Sequence, residues 1–432
     1  MYNIFRVLLL ILMGFLHGYL IIRNNIRENS VSLYSSLIFS MLFYFEMIPL
    51  IVICRNDTST YSNMMTYIYE CDLWSFIFGE LNILIFTFFF HFSYRPSYQK
   101  ANRNKYLDES KLKLIIKRLA YLTFIVGLLS FTIYIVAWGS ISRLLSYAEY
   151  LRSFSVHLSV SIPKFASIMI IPAKLITVTP ILAFSMIKED KHIRWIIIFI
   201  VSLIYSFLYL FVNSGKTNLI LMVLCFAIPL LSKRVKHPWV VSIILGFISL
   251  PILGALDSLF SFFTTGVWNY TANDSISYIK MFAYPFSNIV NLTGIAPLDK
   301  LRWGIDFIIG PLSIIPGLDF SPSYETVSEF YYTSNWRSHA GVPDDLITFG
   351  YLQFSMLGVV LIAIITGIIL GKIDNSLTKI NKNTHIVLFT CLILCMFSFF
   401  VNADTTVLVK SQFQLTVCSI CVLWALRRRY QE

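Results

Sequence analysis

The sequence predicts an all-α polytopic membrane protein of about 11 transmembrane helices, with a large extracytoplasmic loop between helices 8 and 9. Three observations predict it. Only 13% of the 432 residues are charged and 57% are hydrophobic, whereas a soluble domain carries roughly 25% charged residues. Apolar runs long enough to cross a hydrocarbon core as helices recur along the chain. The Lys and Arg residues are segregated into alternate connections between those runs. Together these exclude an ordinary water-soluble enzyme, a disordered chain and a secreted disulfide scaffold.

In chain order the apolar runs place helices at about 4–22, 31–54, 73–94, 119–138, 165–187, 195–212, 217–232, 238–256, 352–371, 385–402 and 407–426. The chain reads as one integral membrane domain, 1–432. One set of alternating connections (23–30, 95–118, 188–194, 233–237, 372–384 and 427–432) holds 22 of the 34 Lys and Arg residues. The positive-inside rule therefore puts this set and the C-terminus in the cytoplasm and the N-terminus outside. The net charge of +11 follows from that bias and is assigned to topology and anionic lipid, not to nucleic acid. Residues 1–22 read as a retained first helix, because Arg6 is the only charge before the apolar run and no small-residue cleavage site follows. The seven cysteines lie mostly inside apolar runs and show neither zinc spacing nor a disulfide framework.

The outside connections carry the polar chemistry. Residues 257–351 form a 95-residue loop with nine acidic side chains, four basic ones and many aromatics, among them Trp268, Trp303, Tyr324 and Trp336. Two readings fit it: a folded cap packed by its aromatics, or a sugar-binding surface where rings stack on pyranoses and carboxylates accept hydroxyl hydrogen bonds. Within it, Ile305–Ile315 is apolar, too short to span and broken by Gly310-Pro311 and Pro316-Gly317, which suits a re-entrant or interfacial segment. A second outside loop, 139–164, contains Leu144, Leu145, Ala148 and Leu151 at helical spacing, an amphipathic helix that sets Arg143 and Arg152 at headgroup level. A third feature is the turn Asn213-Ser-Gly-Lys216-Thr217. It is either a plain helix connection or a phosphate cradle formed by a helix N-terminus with the Lys216 charge beside it.

The densest cluster is Trp336-Arg337-Ser-His339-Ala-Gly-Val-Pro-Asp344-Asp345, directly before the ninth helix. An imidazole can act as a base, and a guanidinium can neutralise a diphosphate with two parallel hydrogen bonds. Inside the predicted spans, Glu46, Glu80, Lys174 and Lys410 are expensive in hydrocarbon; structural ion pairs or a polar pathway account for them. No group of His, Asp and Glu has metal-ligand spacing, so neither a metal nor another cofactor is expected.

In its span pattern, the Gly139-Ser-Ile-Ser-Arg143 loop, the Asn213–Thr217 turn and the long outside loop ending in Gly341-Val-Pro-Asp-Asp345, Phe349-Gly350-Tyr351 and Gly358, the chain resembles the bacterial O-antigen polymerase (Wzy-type oligosaccharide repeat-unit polymerase) family. The resemblance implies a membrane glycosyltransferase of the bacterial inner membrane that works in lipopolysaccharide or other surface-polysaccharide biosynthesis. It would join undecaprenyl-diphosphate-linked oligosaccharide repeat units on the periplasmic face. It implies catalytic work for His339, Arg337, Asp345 and Asp344, and diphosphate or sugar binding by Arg143, Arg152, Lys216 and Arg302. The implied partners are the lipid-linked oligosaccharide, the bilayer, a chain-length regulator and a repeat-unit flippase, with no nucleic acid. The alternatives are an O-antigen ligase and, in a different class, a transporter or flippase for a lipid-linked or polar cargo.

Overall fold

The computed structural model describes residues 2–28, 32–55, 70–94 (with Ile68), 109–148, 164–213, 282–295, 301–313, 320–331, 342–377 and 400–410, with scattered single positions elsewhere. Every regular element among the described residues is helical. Seven helices are long and apolar enough to cross a membrane: Asn3–Asn24, Leu33–Cys54, Leu73–Ser93, Lys113–Ala137, Ile168–Ile187, Ile193–Asn213 and Leu346–Asn375. By helix length and hydropathy the chain is a multi-pass membrane protein. These seven fall on the first six and the ninth of the apolar runs. The runs at 217–232, 238–256, 385–402 and 407–426 lie wholly or mostly outside the described residues.

The elements are α1 (Tyr2–Glu28), α2 (Leu33–Met41), a π-helical turn (Leu42–Met47), α3 (Ile48–Arg55), α4 (Leu73–Ser93), α5 (Glu109–Ala137), α6 (Ile141–Ser146), α7 (Lys164–Ala173), a 3-10 turn (Lys174–Thr177), α8 (Thr179–Asp190), α9 (Ile193–Asn213), α10 (Tyr284–Ile295), α11 (Asp306–Leu312), α12 (Ser323–Tyr331), α13 (Leu346–Leu377) and α14 (Thr405–Lys410). Their faces are patterned for lipid. On α9 the outward stripe is Ile193, Ile197, Ile200 and Ile204, while Ser202 and Ser206 are fully buried. A helix that turns isoleucines outward and serines inward is stable where the surroundings are hydrocarbon, because each hydroxyl then finds its partner inside the bundle.

Close backbone approaches set the packing. Gly79 of α4 faces Val290 of α10, and Gly367 of α13 lies on Ser93 and the Phe90 carbonyl. α4 is thus held between α10 and α13. Gly127 of α5 meets the backbone of Ile176 in the 3-10 turn, where a Cβ would collide with main chain. That turn follows Pro172, which interrupts the helix ladder. Ser206 Oγ lies 2.7 Å from the Ile176 carbonyl and 2.6 Å from the Ser202 carbonyl, so its one proton is shared between its own helix and the break.

Helix ends are tied across large sequence separations. Asp374, near the end of α13, accepts the Leu33 N–H at 3.0 Å and the Tyr94 hydroxyl, so one carboxyl gathers the start of α2 and the end of α4. Asp190 is met by Lys113 at 3.7 Å and Arg194 at 3.1 Å, which puts the start of α5 beside the α8–α9 connection. Both junctions belong to the basic set of connections. At the opposite end of α4, Asp72 caps the helix through Ser75 N at 2.8 Å, and Arg6 donates to the Cys71 carbonyl.

α13 does not run straight. Phe354 and Ser355 leave helical geometry, Ser355 with φ 55°, and the chain bends so sharply that Gly350 touches Gly358. Eight residues of continuous helix would separate them by about 12 Å. A Cβ on Gly358 would overlap the Gly350 carbonyl oxygen, so this corner requires glycine. The ninth helix thus begins at Leu346, six residues before the apolar run at 352–371, with residues 346–353 as a short arm turned against the long one.

Candidate functional site

The described part of 257–351 is built into the bundle. α10 buries Phe286, Ile289, Val290 and Leu292 to 1% exposure or less, on the α4 face opened by Gly79. On α11, Ile309 and Gly310 are buried while Phe307 and Ile308 face outward. α11 lies on α14, with Gly310 against Thr405. Around α12, between these pieces, two polar clusters assemble.

The first is centred on Arg302. Its Nε and Nη2 donate to the two oxygens of Asp306, both at 2.6 Å, a bidentate pair in which Asp306 is 1% exposed. Nη2 also donates to the Ser321 carbonyl at 2.6 Å, and Nη1 to Thr326 of α12 at 3.3 Å. Gln353 donates to Asp306 at 2.7 Å. The Arg302 and Trp303 N–H groups donate to the carbonyls of Leu352 and Gln353 at 2.8 and 3.0 Å. Those carbonyls lie directly before the α13 corner at Phe354–Ser355, so the corner and the Arg302 cluster stabilise one another.

The second cluster joins Asp344, Ser323 and Asp404, all fully buried. Ser323 Oγ lies 2.5 Å from Asp344 Oδ2 and 2.8 Å from Asp404 Oδ2. A hydroxyl carries one proton, so only one of these contacts can be donated by serine; the other is donated by a protonated carboxyl. Asp404 has the environment of an anion. Its Oδ1 accepts the Thr406 N–H at 2.6 Å and the Val407 N–H at 3.3 Å as the cap of α14, and its Oδ2 accepts the Tyr324 N–H at 3.3 Å. Asp344 Oδ1 has no hydrogen-bond partner among the described residues. The proton therefore resides on Asp344, and burial with Asp404 beside it holds Asp344 well above the usual carboxylate range.

Asp345, the next residue, caps α13. It accepts Ile347 N and Thr348 N, each at 3.0 Å, and the Thr348 hydroxyl. Burial raises it to about 7, although these hydrogen bonds pull the other way. The segment around the two aspartates is pinned on every side. Val342 N donates to Ser328 Oγ at 2.7 Å, Asn288 Nδ2 to the Pro343 carbonyl at 2.8 Å, and Ala403 N to the Asp344 carbonyl at 2.7 Å.

Of the residues singled out from the sequence, Arg302, Asp344 and Asp345 are brought together around α12 and α13. Arg143 sits elsewhere, exposed on α6, whose Leu144 is buried against a cluster with Phe131 and Tyr209. Arg337, His339, Arg152 and Lys216 lie outside the described residues. Sequence reasoning missed Asp306, Ser323, Gln353 and Asp404. For Asp404 a signal was present: an acidic residue followed by Thr405 and Thr406 before an apolar run is a helix-start pattern. Among the described residues no group of three His, Cys, Asp or Glu side chains is placed to hold a metal ion. No protein-family model, curated protein or solved structure matches the chain.

Proposed function

We propose that this chain is a membrane glycosyltransferase of the O-antigen polymerase type, joining polyprenyl-diphosphate-linked oligosaccharide units at the outer face of a bacterial inner membrane. One observation carries the reading. Val342 N donates to Ser328 Oγ at 2.7 Å, so the two described positions that flank Arg337 and His339 in the sequence are joined beside Asp344. A base and a cation carried from one anchored point suit a reaction between two substrates that both stay in the membrane.

In the reaction, a hydroxyl of the acceptor sugar attacks the anomeric carbon of the donor. The new glycosidic bond forms as the bond to the diphosphate oxygen breaks, the hydroxyl proton passes to His339, and Arg337 with Lys216 holds the charge left on the diphosphate. Stabilisation of developing charge by fixed cations is usually the largest catalytic term in such transfers. Arg302 enters as a positioning residue, because its guanidinium is committed to Asp306, Thr326 and the Ser321 carbonyl. Asp344 and Asp345 likewise fix the base of the segment, and Arg143 and Arg152 engage headgroups. The test is a surface-polysaccharide gel of a deletion strain complemented with Arg337→Ala, His339→Ala or Lys216→Ala. Loss of the long-chain ladder in the variants supports the reading. A normal ladder with all three removes the site, and a normal ladder in the deletion strain removes the function. Polymer stranded on its lipid carrier selects the ligase alternative.

A transport reading is favoured by one specific observation: two spans are interrupted at ionisable residues, the π-helical turn holding Glu46 and the 3-10 turn holding Lys174. Loss of function with Glu46→Gln or Lys174→Met, while Arg337→Ala and His339→Ala remain silent, selects it.

A further inference from the structure

Three helices meet at a group of ionisable side chains that glycosyl transfer does not use. Glu46 projects from the π-helical turn, Glu80 from α4 and His17 from α1, with 2%, 3% and 0% of their surfaces exposed. Gly14, one turn before His17, lies alongside Glu46: a Cβ there would be 3.9 Å from the Glu46 Cβ, an ordinary packing distance. His17 Nδ1 is 3.4 Å from Glu46 Oε1, and His17 Nε2 is 2.9 Å from Thr87 Oγ1. All four carboxyl oxygens of Glu46 and Glu80 are buried without a hydrogen-bond partner among the described residues.

Proton counting fixes the chemistry. Thr87 has one hydroxyl proton, directed to the Ile83 carbonyl at 2.8 Å, so its oxygen accepts from His17 Nε2–H. In the neutral ring, Nδ1 then presents a lone pair to Glu46 Oε1. Two lone pairs at that separation repel, so the pair carries a proton, on the carboxyl or on the ring. The carboxyls of Glu46 and Glu80 are close enough for a charge on one to act on the other, and two unpartnered carboxylates in a bundle interior are too expensive to ionise together. Other titratable groups described on the packed elements are turned to other partners or are phenols, and Arg23, farther along α1, acts on Tyr34 and His91. Arg6, three turns earlier on α1, donates to the Cys71 carbonyl and lies over the Phe76 ring at 5.4 Å. His91 of α4 is hydrogen-bonded to Tyr34 at 2.7 Å. Tyr44 lies in the π-helical turn itself, and Tyr284 of α10 donates to the Val401 carbonyl at 2.6 Å.

We propose that His17, Glu46 and Glu80 form a binding site for an exchangeable proton inside the membrane-spanning bundle, held at the Glu46–His17 contact with Glu80 as the second acceptor. A π-helical turn at Glu46 fits this role, since such bulges concentrate at functional positions. The site stands independently of the glycosyl-transfer reading, and its test does not require activity. The full-length protein in lipid nanodiscs is examined by infrared spectroscopy at pH 7, unlabelled and with carboxyl-labelled ¹³C-glutamate. The expected result is a protonated-carboxyl absorption that moves on glutamate labelling, shifts in D₂O and fades as pH is raised. Glu46→Gln and Glu80→Gln should each remove one component of it, and His17→Asn should shift the Glu46 component. Absence of any glutamate-dependent absorption in the wild-type protein at pH 7 overturns the proposal, whether or not the variants fold. So does an absorption that never shifts in D₂O, because its proton does not exchange.

Discussion

Replacing Asp404 and Asp344 separately by Asn tests where the proton of the second cluster resides. Asn has the shape of a protonated Asp but keeps only one acceptor oxygen. At Asp344, placed as the neutral partner, the new amide can donate to Ser323 Oγ as the carboxyl proton did, so Asp344→Asn should cost about 1 kcal/mol or less. At Asp404 both oxygens accept: one from Thr406 N and Val407 N, the other from Ser323 and Tyr324 N. Asp404→Asn turns one of these acceptors into a donor facing donors. One short charged hydrogen bond at about 1.5–3 kcal/mol is lost together with a longer one, so the expected cost is about 2–4 kcal/mol. The assay is the thermal unfolding midpoint of each detergent-solubilised variant, followed by tryptophan fluorescence. The pH dependence adds a second arm. Asp344 is held above the ordinary range in the folded state, so its contribution is complete below about pH 4 and is lost as pH rises through its folded-state value. The wild-type midpoint should therefore fall as pH rises above about 4, and Asp344→Asn should flatten that fall. Equal losses from the two substitutions, or a greater loss from Asp344→Asn, would refute the placement of the proton.

Three further outcomes are expected. Arg302→Ala leaves Asp306 as a buried unpaired charge and should cost about 3–5 kcal/mol; Arg302→Lys, unable to span Asp306, Thr326 and the Ser321 carbonyl together, should lose about 1–3 kcal/mol. Both are read as midpoint shifts in the same assay. Gly358→Ala should abolish monodisperse expression as a fluorescent-protein fusion, because its Cβ meets the Gly350 carbonyl, whereas Gly18→Ala, with no neighbour within 4 Å, should be silent. In a cysteine-free background, a membrane-impermeant thiol reagent should label Ser338→Cys in intact cells and Asn104→Cys only after lysis; the reverse would invert the orientation drawn from the basic connections.

The seven described spans were legible because hydrocarbon imposes one requirement, length of apolar helix, that leaves its mark residue by residue. The ends were less so. Asp345 read as a candidate base, yet Asp345 followed by Leu346, Ile347 and Thr348 is also a cap with a hydroxyl three residues on, and α13 starts there. The glycine-lined corner at Phe354–Ser355 hid this start by splitting an apolar stretch into two arms. Glu46 was recognisable as a group in need of a partner, but finding His17 needed the rotation of α1 about its axis, which places Gly14 and His17 on the Glu46 side. Asp344 and Asp404 become a pair only when segments 60 residues apart are brought onto Ser323, and no local periodicity carries that information.

The carboxyl of Asp374 has a consequence for biosynthesis. Its hydrogen bond to Leu33 joins residues 341 apart in the chain. At about 5–20 residues per second, a ribosome needs on the order of 20–70 s to make that interval. Through this delay the second and third inserted segments wait in the bilayer with their closing contact unmade, which is long enough for an insertase or a membrane chaperone to engage them.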